Sequence, residues 1–149
     1  MFEDIAELKE RIEAKEKFTF NYLPWSSRLM LLSKIAKILG SRDEIELAVV
    51  YGSFIEKNSK FRDIDVAVYL NRDLNYLSYS LELTALLEAA TGFQFDVVVL
   101  NETPAYLGVS ILGKGIVLYE RRPGVYLSLY KKFIEEKQAL EIYSRYSNY

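Results

Sequence analysis

Apolar positions along the chain recur with two periods, one typical of helices and one typical of strands. Near the N-terminus, apolar residues three and four positions apart among charged ones predict a helix over residues 3–17. Pro24 ends any helix before it. Ser26 as an N-cap and Gly40 as a C-terminal stop predict a second helix between them.

Three short, strongly apolar runs predict strands over residues 46–51, 63–70 and 93–100. The segment IVLYE predicts a short fourth strand. Between the second and third strands, Asn71 or Asp73 is the expected cap of a helix that runs to about residue 90 and ends at Gly92.

Two further helices are predicted in the C-terminal third of the chain. Thr103 and Pro104 form an N-cap and first-turn pair for a short helix, which ends at Gly113 and Gly115. From Val125 onward, apolar and aromatic residues at helical spacing indicate a final amphipathic helix.

The mixed order of these elements predicts an α/β (α+β) fold, with a small mixed β-sheet and helices packed on one side of it. The chain length is that of one domain. We therefore expect a single domain over residues 1–149, with a helical extension over 1–25, a core over 26–120 and a C-terminal helix over 121–149.

The composition limits the chemistry that this fold can support. The 149 residues include neither histidine nor cysteine, which excludes disulfides, thiolate nucleophiles, structural zinc sites and Ser-His or Cys-His catalysis. Catalysis would rest on carboxylates, hydroxyls, Lys, Arg or a hard cation bound by oxygen atoms.

The net charge of −2 argues against direct binding of nucleic acid. Without a membrane-length apolar run or a signal peptide, we expect a cytoplasmic protein that does not bind a membrane.

Two aspartates stand at the start of the second predicted strand, where aspartate is usually depleted. Asp63 and Asp65 are two residues apart, so on a strand both would project to the same face. Their mutual repulsion calls for a divalent cation, Lys or Arg. Asp96 has a similar place in the third strand, and the three carboxylates converge if these strands are neighbours. Asp63 alone could instead be a turn residue that ends the loop, and Asp65 or Asp96 could be an ion-paired edge residue.

A Gly-Ser pair directly follows the first predicted strand. The turn at Gly52 and Ser53 could offer backbone N–H groups and a hydroxyl to a phosphate, or it could be a simple glycine turn. The loop beyond it carries Lys57, Lys60 and Arg62, which could meet a polyphosphate or stay solvated.

Taken together, these motifs are more specific than any of them alone. A strand, a Gly-Ser pair, nine residues, Asp-x-Asp on a strand, a helix and a third Asp on another strand follow in this order. This order resembles the DNA polymerase β-type nucleotidyltransferase superfamily, and more narrowly the minimal nucleotidyltransferases of archaea and bacteria. The resemblance covers roughly residues 28–120 and implies a polymerase β-like core.

The resemblance implies a catalytic metal site and a nucleotide site. The metal site would hold two Mg²⁺ ions on the three acidic residues Asp63, Asp65 and Asp96. The last of these would also activate the attacking hydroxyl. In the nucleotide site, Gly52 and Ser53 would hold the phosphates of ATP, and Lys60 and Arg62 would lie close to them. The nine-residue spacer is one shorter than is usual in this group, and it lacks the arginine often found soon after the serine. We therefore expect triphosphate binding to differ in this loop.

The resemblance also implies a partner. Minimal nucleotidyltransferases are typically paired with a HEPN-domain RNase toxin, and several transfer AMP from ATP to a tyrosine of that toxin, which makes them antitoxins. Two alternatives stay open. The chain could be a non-catalytic module that neutralises a partner by contact, or it could nucleotidylate a small molecule such as an aminoglycoside. The terminal helices could also form a homo-oligomer interface.

Overall fold

A computed structural model of the protein describes the backbone of residues 4–147 and the side chains of these residues except 13–19. Within this range the helices and strands are α1 (Ile5–Thr19), α2 (Trp25–Gly40), β1 (Ile45–Tyr51), β2 (Ile64–Leu70), α3 (Tyr76–Thr91), β3 (Phe95–Val99), α4 (Ala105–Lys114), β4 (Ile116–Glu120) and α5 (Val125–Tyr146). Two short 3₁₀ turns, Ser53–Ile55 and Leu100–Glu102, follow β1 and β3.

The four strands form one mixed sheet in the order β3-β2-β1-β4. β1 pairs antiparallel with both β2 and β4, whereas β2 and β3 are parallel and are joined by α3. The N-terminal ends of β2 and β3 therefore lie at the same edge of the sheet as the C-terminal end of β1. This edge is where the predicted site residues meet.

Helices cover both faces of the sheet. On one face, α2 and α3 pack on β1, β2 and β3 through apolar residues that include Leu32, Ile35, Leu83 and Leu87. On the other face, α4 and α5 pack on β1 and β2 through residues that include Ile111, Leu112, Leu129 and Phe133. The predicted α/β class with a mixed sheet is confirmed, but the expectation of helices on one side is wrong.

The reason lies in the central strands. All residues from Ile45 to Val50 in β1 are buried, so this strand presents apolar side chains to both faces. A strand that is apolar on both faces needs a layer on each side of the sheet. Gly108 lets the two outer helices approach closely, because a Cβ at this position would lie 2.6 Å from the ring of Phe133.

The predicted limits of the first two helices need correction. The predicted start of α1 at residue 3 lies outside the described residues, and the helix extends to Thr19. α2 begins at Trp25, with Pro24 in the N-cap position and no side-chain cap, so the prediction of Ser26 as N-cap is wrong. Proline fixes its own φ near the value that this position has. The predicted end at Gly40 is confirmed.

The caps of the later helices also differ from the prediction. The N-cap of α3 is Asn75, whose side chain accepts a hydrogen bond from the amide of Ser78. Asp73 accepts from the hydroxyl of Tyr76 instead. Gly92 ends α3 in the left-handed region, as predicted. Pro104, and not Thr103, occupies the N-cap of α4.

Along the described residues, no helix has the length and apolar character needed to cross a bilayer.

Candidate active site

Two of the predicted acidic residues lie side by side on the sheet. Asp65 of β2 is the register partner of Asp96 of β3, and on its other side Asp65 is the partner of Tyr51 of β1. Register partners on neighbouring strands project to the same face. The side chains two residues further along these strands, Ala67 and Val98, contact the layer formed by α4 and α5. The sheet therefore brings both carboxylates and the Tyr51 side chain together on that face.

Asp63 reaches the same edge in a different way. It lies in a bend directly before β2, which begins at Ile64, so the predicted strand start at residue 63 is wrong by one residue. The alternation of a strand consequently does not fix the direction of its side chain. Asp63 is nevertheless close enough for its charge to act on Asp65.

The electrostatics of this edge are those of a cluster of like charges. Burial raises the pKa of Asp65 to about 6, and the charges of Asp96 and Asp63 add to the increase. Burial and the charges of Asp65 and Asp96 likewise raise the pKa of Tyr51 above its usual range, so its hydroxyl stays protonated at neutral pH. Among the described ion pairs, none involves these aspartates.

Gly52 lies against the Asp65 carboxylate. Its φ is +80°, a value that favours glycine. A Cβ added to Gly52 would lie 2.2 Å from Oδ2 of Asp65, which is closer than real contacts allow. The turn therefore needs glycine for its backbone conformation and also for the space that the carboxylate occupies. This arrangement places Ser53 directly beside the acidic cluster.

The predicted basic residues lie on the loop that joins the Gly-Ser turn to β2. Lys60 and Arg62 both have exposed side chains, and Ser53 is half-buried. The structure thus brings together the Gly-Ser turn, Asp65 and Asp96 by direct contact or register, and it leaves the two cations at the surface of the same loop.

The sequence patterns did not lead us to predict one residue of this region. Arg28 of α2 is completely buried, and its guanidinium contacts backbone carbonyl groups of the loop that follows Ser53. A signal was available, because Arg28 lies on the same helix face as the buried residues Leu32, Ile35 and Leu39. A charged residue on an apolar helix face needs polar partners inside the fold.

The donor chemistry of the acidic edge suits a divalent cation. Mg²⁺ prefers carboxylate oxygens, and a bound cation would relieve the repulsion that contributes to the raised pKa of Asp65. Among residues 4–147, no group of three acidic side chains has the arrangement needed to hold a metal ion.

A separate cavity of about 780 Å³ lies near the opposite end of the sheet, at the end of β2 and the start of α5. Its charged groups include Glu46 and Arg122, which form an ion pair at 3.0 Å. Glu46 also accepts a hydrogen bond from the side chain of Asn71. Because these polar groups already have ion-pair and hydrogen-bond partners within the cavity, the acidic edge is the better candidate for a catalytic site.

The acidic edge thus combines paired carboxylates on neighbouring strands with a Gly-Ser turn in a mixed α/β fold. A model of the family "Polymerase beta, Nucleotidyltransferase" matches residues 33–123, more than half of the chain. The chain belongs to this polymerase β nucleotidyltransferase family, which confirms the family predicted from the motifs. A search among curated proteins found no significant match.

Several solved structures share the fold. The chain is 24% identical to one from the MntA-HepT toxin–antitoxin, with a TM-score of 0.64, over 78% of this chain and 92% of that one. A chain in the structure of a tri-AMPylated Shewanella oneidensis HEPN toxin in complex with MNT antitoxin is also 24% identical to this one, with a TM-score of 0.64. The match covers 79% of this chain and 92% of that one. A chain in the structure of a toxin–antitoxin with AMP-PNP is 24% identical to this one, with a TM-score of 0.64, and the match covers 76% of this chain and 92% of that one.

Proposed function

We propose that this protein is a minimal nucleotidyltransferase that transfers AMP from ATP to a tyrosine hydroxyl of a HEPN-type toxin and thereby acts as its antitoxin. The observation that carries the proposal is the register pairing of Asp65 with Asp96 beside the Gly52 turn, in a chain of the polymerase β nucleotidyltransferase family. Similarity to the MNT antitoxin bound to an AMPylated HEPN toxin supports the choice of acceptor, and similarity to the complex with AMP-PNP supports ATP as the donor.

In this proposal, Asp63, Asp65 and Asp96 hold two Mg²⁺ ions. When bound, these ions supply charge neutralisation for the attacking and leaving oxygen atoms. Within the described residues, the three carboxylates do not have the arrangement of an ion site, so at least one of their side chains would have to move for the ions to bind. Asp63 lies in the bend before β2 and is less constrained than a strand residue.

The two paired carboxylates differ in exposure, which suggests different roles. Asp65 is half-buried against Gly52, so it is held in one place and anchors the cation. Asp96 is exposed on β3, an edge strand of the sheet. A hydroxyl carried by a large partner could approach Asp96 from this side, and Asp96 would accept the proton of that hydroxyl.

The reaction would proceed by in-line displacement at the α-phosphorus. The acceptor oxygen forms a bond to the α-phosphorus as the bond from that phosphorus to the oxygen bridging to the β-phosphorus breaks. Pyrophosphate leaves with the electron pair of the broken bond. The free N–H groups and the hydroxyl of the Gly-Ser turn would bind the departing phosphates.

The direct test is transfer of label to a partner. The protein is incubated with Mg²⁺, a HEPN-type protein encoded beside it and ATP labelled on the α-phosphate, and in parallel with ATP labelled on the γ-phosphate. We expect label on a tyrosine of the partner from α-labelled ATP only, with release of pyrophosphate. Label from γ-labelled ATP would instead indicate phosphorylation.

The same experiment separates the alternatives. Stable co-purification with the partner in the absence of any label would support a contact-only antitoxin. An inert partner together with labelled aminoglycoside would support small-molecule nucleotidylation. Either result would contradict AMP transfer to a toxin.

A further inference from the structure

Arg28 makes an unusual set of contacts for an arginine. Its side chain is completely buried, and its Nε donates to the carbonyl of Leu23 at 2.9 Å. The rest of the guanidinium faces the loop after the Gly-Ser turn and donates to four carbonyl oxygens there, those of Ser53 (3.5 Å), Phe54 (3.0 Å), Glu56 (3.0 Å) and Ser59. Nη1 faces three of these loop carbonyls and Nη2 faces that of Ser59, so every nitrogen of the guanidinium has at least one backbone carbonyl as its partner.

Within the part of the chain that the structure describes, no carboxylate pairs with this charge. Among the described ion pairs, none includes Arg28. The guanidinium lies instead 5.7 Å from the ring centroid of Phe54 and 5.1 Å from that of Phe61. A buried cation is tolerated only when its donors are satisfied. The loop backbone is therefore held by Arg28, and Arg28 in turn requires the loop in this conformation.

Few other side-chain contacts hold the loop. The hydroxyl of Ser59 lies 2.5 Å from the carbonyl oxygen of Ser53 and 2.8 Å from that of Glu56, two of the four loop carbonyls that Arg28 also contacts. Phe54 and Phe61 pack edge to face with centroids 4.7 Å apart. Regular structure in the segment 53–59 is limited to one 3₁₀ turn. Within the described residues, the side chains of Arg28 and Ser59 thus join the two ends of this segment.

The direction of these carbonyls has a consequence for the opposite side of the loop. In a trans peptide, the C=O and the following N–H point in opposite directions. Because the carbonyls of Glu56 and Ser59 point inward to Arg28, the amides of Lys57 and Lys60 point away from it, and both of these residues are exposed. Within the described residues, these two amides have no hydrogen-bond acceptor.

We propose that Arg28 is a positioning residue for the triphosphate of the nucleotide. By binding the loop carbonyls on the inner side, it holds the amides of Lys57 and Lys60 outward as donors for phosphate oxygens. Its uncompensated positive charge under the same loop adds attraction for the triphosphate. This inference rests on the proposed function, since it takes the ligand to be ATP.

The substitution Arg28→Lys tests this role. Lysine keeps the charge but offers three donors from one atom, so it cannot span the same carbonyls. We expect the KM for ATP to rise about tenfold or more while kcat changes less than about threefold, since ground-state and transition-state binding are weakened alike.

Arg121→Lys is the matched control. The guanidinium of Arg121 also donates to two backbone carbonyls, those of Ile45 (3.1 Å) and Arg42 (2.8 Å), but at the opposite end of β1. Both substitutions should lower thermal stability, and only Arg28→Lys should change the KM for ATP. An equal rise in KM for both variants would mean that Arg28 acts through general stability, which overturns the proposal.

Amide hydrogen exchange gives a readout that needs no activity. In the wild-type protein, AMP-PNP with Mg²⁺ should slow exchange at the amides of Lys57 and Lys60, and the ligand-free Arg28→Lys variant should exchange faster over residues 53–59. A wild-type protein that binds no AMP-PNP contradicts the proposed function. Even then, unchanged loop exchange in Arg28→Lys separately contradicts the role given to Arg28. Binding of AMP-PNP without protection of these amides also overturns it.

Discussion

Replacing Asp65 by Asn is expected to abolish nucleotide transfer while making the metal-free protein more stable at neutral pH. Asparagine has the shape of aspartate, so it fits beside Gly52 without a new clash. It removes a charge that is half-buried and repelled by Asp96 and Asp63. Loss of a metal-binding carboxylate removes several kcal/mol of transition-state stabilisation, and we expect the rate to fall by about 10³-fold or more.

The gain in stability follows from the direction of the pKa shift. The pKa of Asp65 is raised from 3.8 to about 6 in the folded protein, so the folded state binds the proton more tightly than the unfolded state does. The stabilising contribution of the protonated carboxyl is complete below pH 4 and is lost as the pH rises to about 6. Because Asp65 is partly exposed, we expect Asp65→Asn to gain only about 1 kcal/mol at pH 7.5, and nothing near pH 4.

Denaturant unfolding from pH 4 to pH 7.5 measures this difference, and Asp43→Asn is the matched control because Asp43 is an exposed aspartate at the opposite edge of the sheet. Mg²⁺ should then stabilise the wild-type protein and the control, but not Asp65→Asn. A variant that still transfers AMP at the wild-type rate would contradict the metal site. A variant that is less stable than the wild type at pH 7.5 would contradict the electrostatic argument.

The central part of the site could be predicted because strand geometry is regular. Asp65 and Asp96 interrupt apolar strands, and such strands pair in a register that their apolar faces determine. Once β2 and β3 are neighbours, the two carboxylates have to lie on the same face. Asp63 shows the limit of this argument, since it precedes the strand by one residue and alternation does not apply to it.

Features that depend on contacts between distant segments could not be predicted in the same way. The loop residues that meet the Arg28 guanidinium lie 25 or more positions further along the chain, and no local pattern links them to Arg28. The second helical layer also depends on long-range packing, although the continuous apolar run of β1 was a signal for it. The N-cap predictions were wrong for other reasons. Several polar residues precede α3, and each of them could serve as its cap, whereas α2 and α4 have a proline at the N-cap and no side-chain cap.

A second large effect is expected for Gly52→Ala, which should reduce nucleotide transfer by about 10²-fold or more. The alanine Cβ would lie 2.2 Å from Oδ2 of Asp65, so the carboxylate or the turn has to move by roughly 1 Å. A displacement of this size in a positioned catalytic group costs about 10² in rate. Asp65 is half-buried between β1 and β3, and it has little room to move without losing its alignment with Asp96.

Backbone strain alone would also weaken a Gly52→Ala protein, since its φ of +80° and ψ of −163° lie in a region that is nearly exclusive to glycine and costs other residues about 1–3 kcal/mol. Gly92→Ala is the control for a positive φ without a steric clash. Gly92 has a φ of +79° with a ψ of 3°, and a Cβ there would meet nothing within 4 Å. Gly52→Ala should therefore lose more stability in thermal unfolding than Gly92→Ala, and only Gly52→Ala should lose activity in the α-labelled ATP assay, measured well below both melting temperatures. Equal losses of activity would assign the effect to the positive φ, and full activity of Gly52→Ala would show that the Asp65 carboxylate does not need the position that the glycine leaves open.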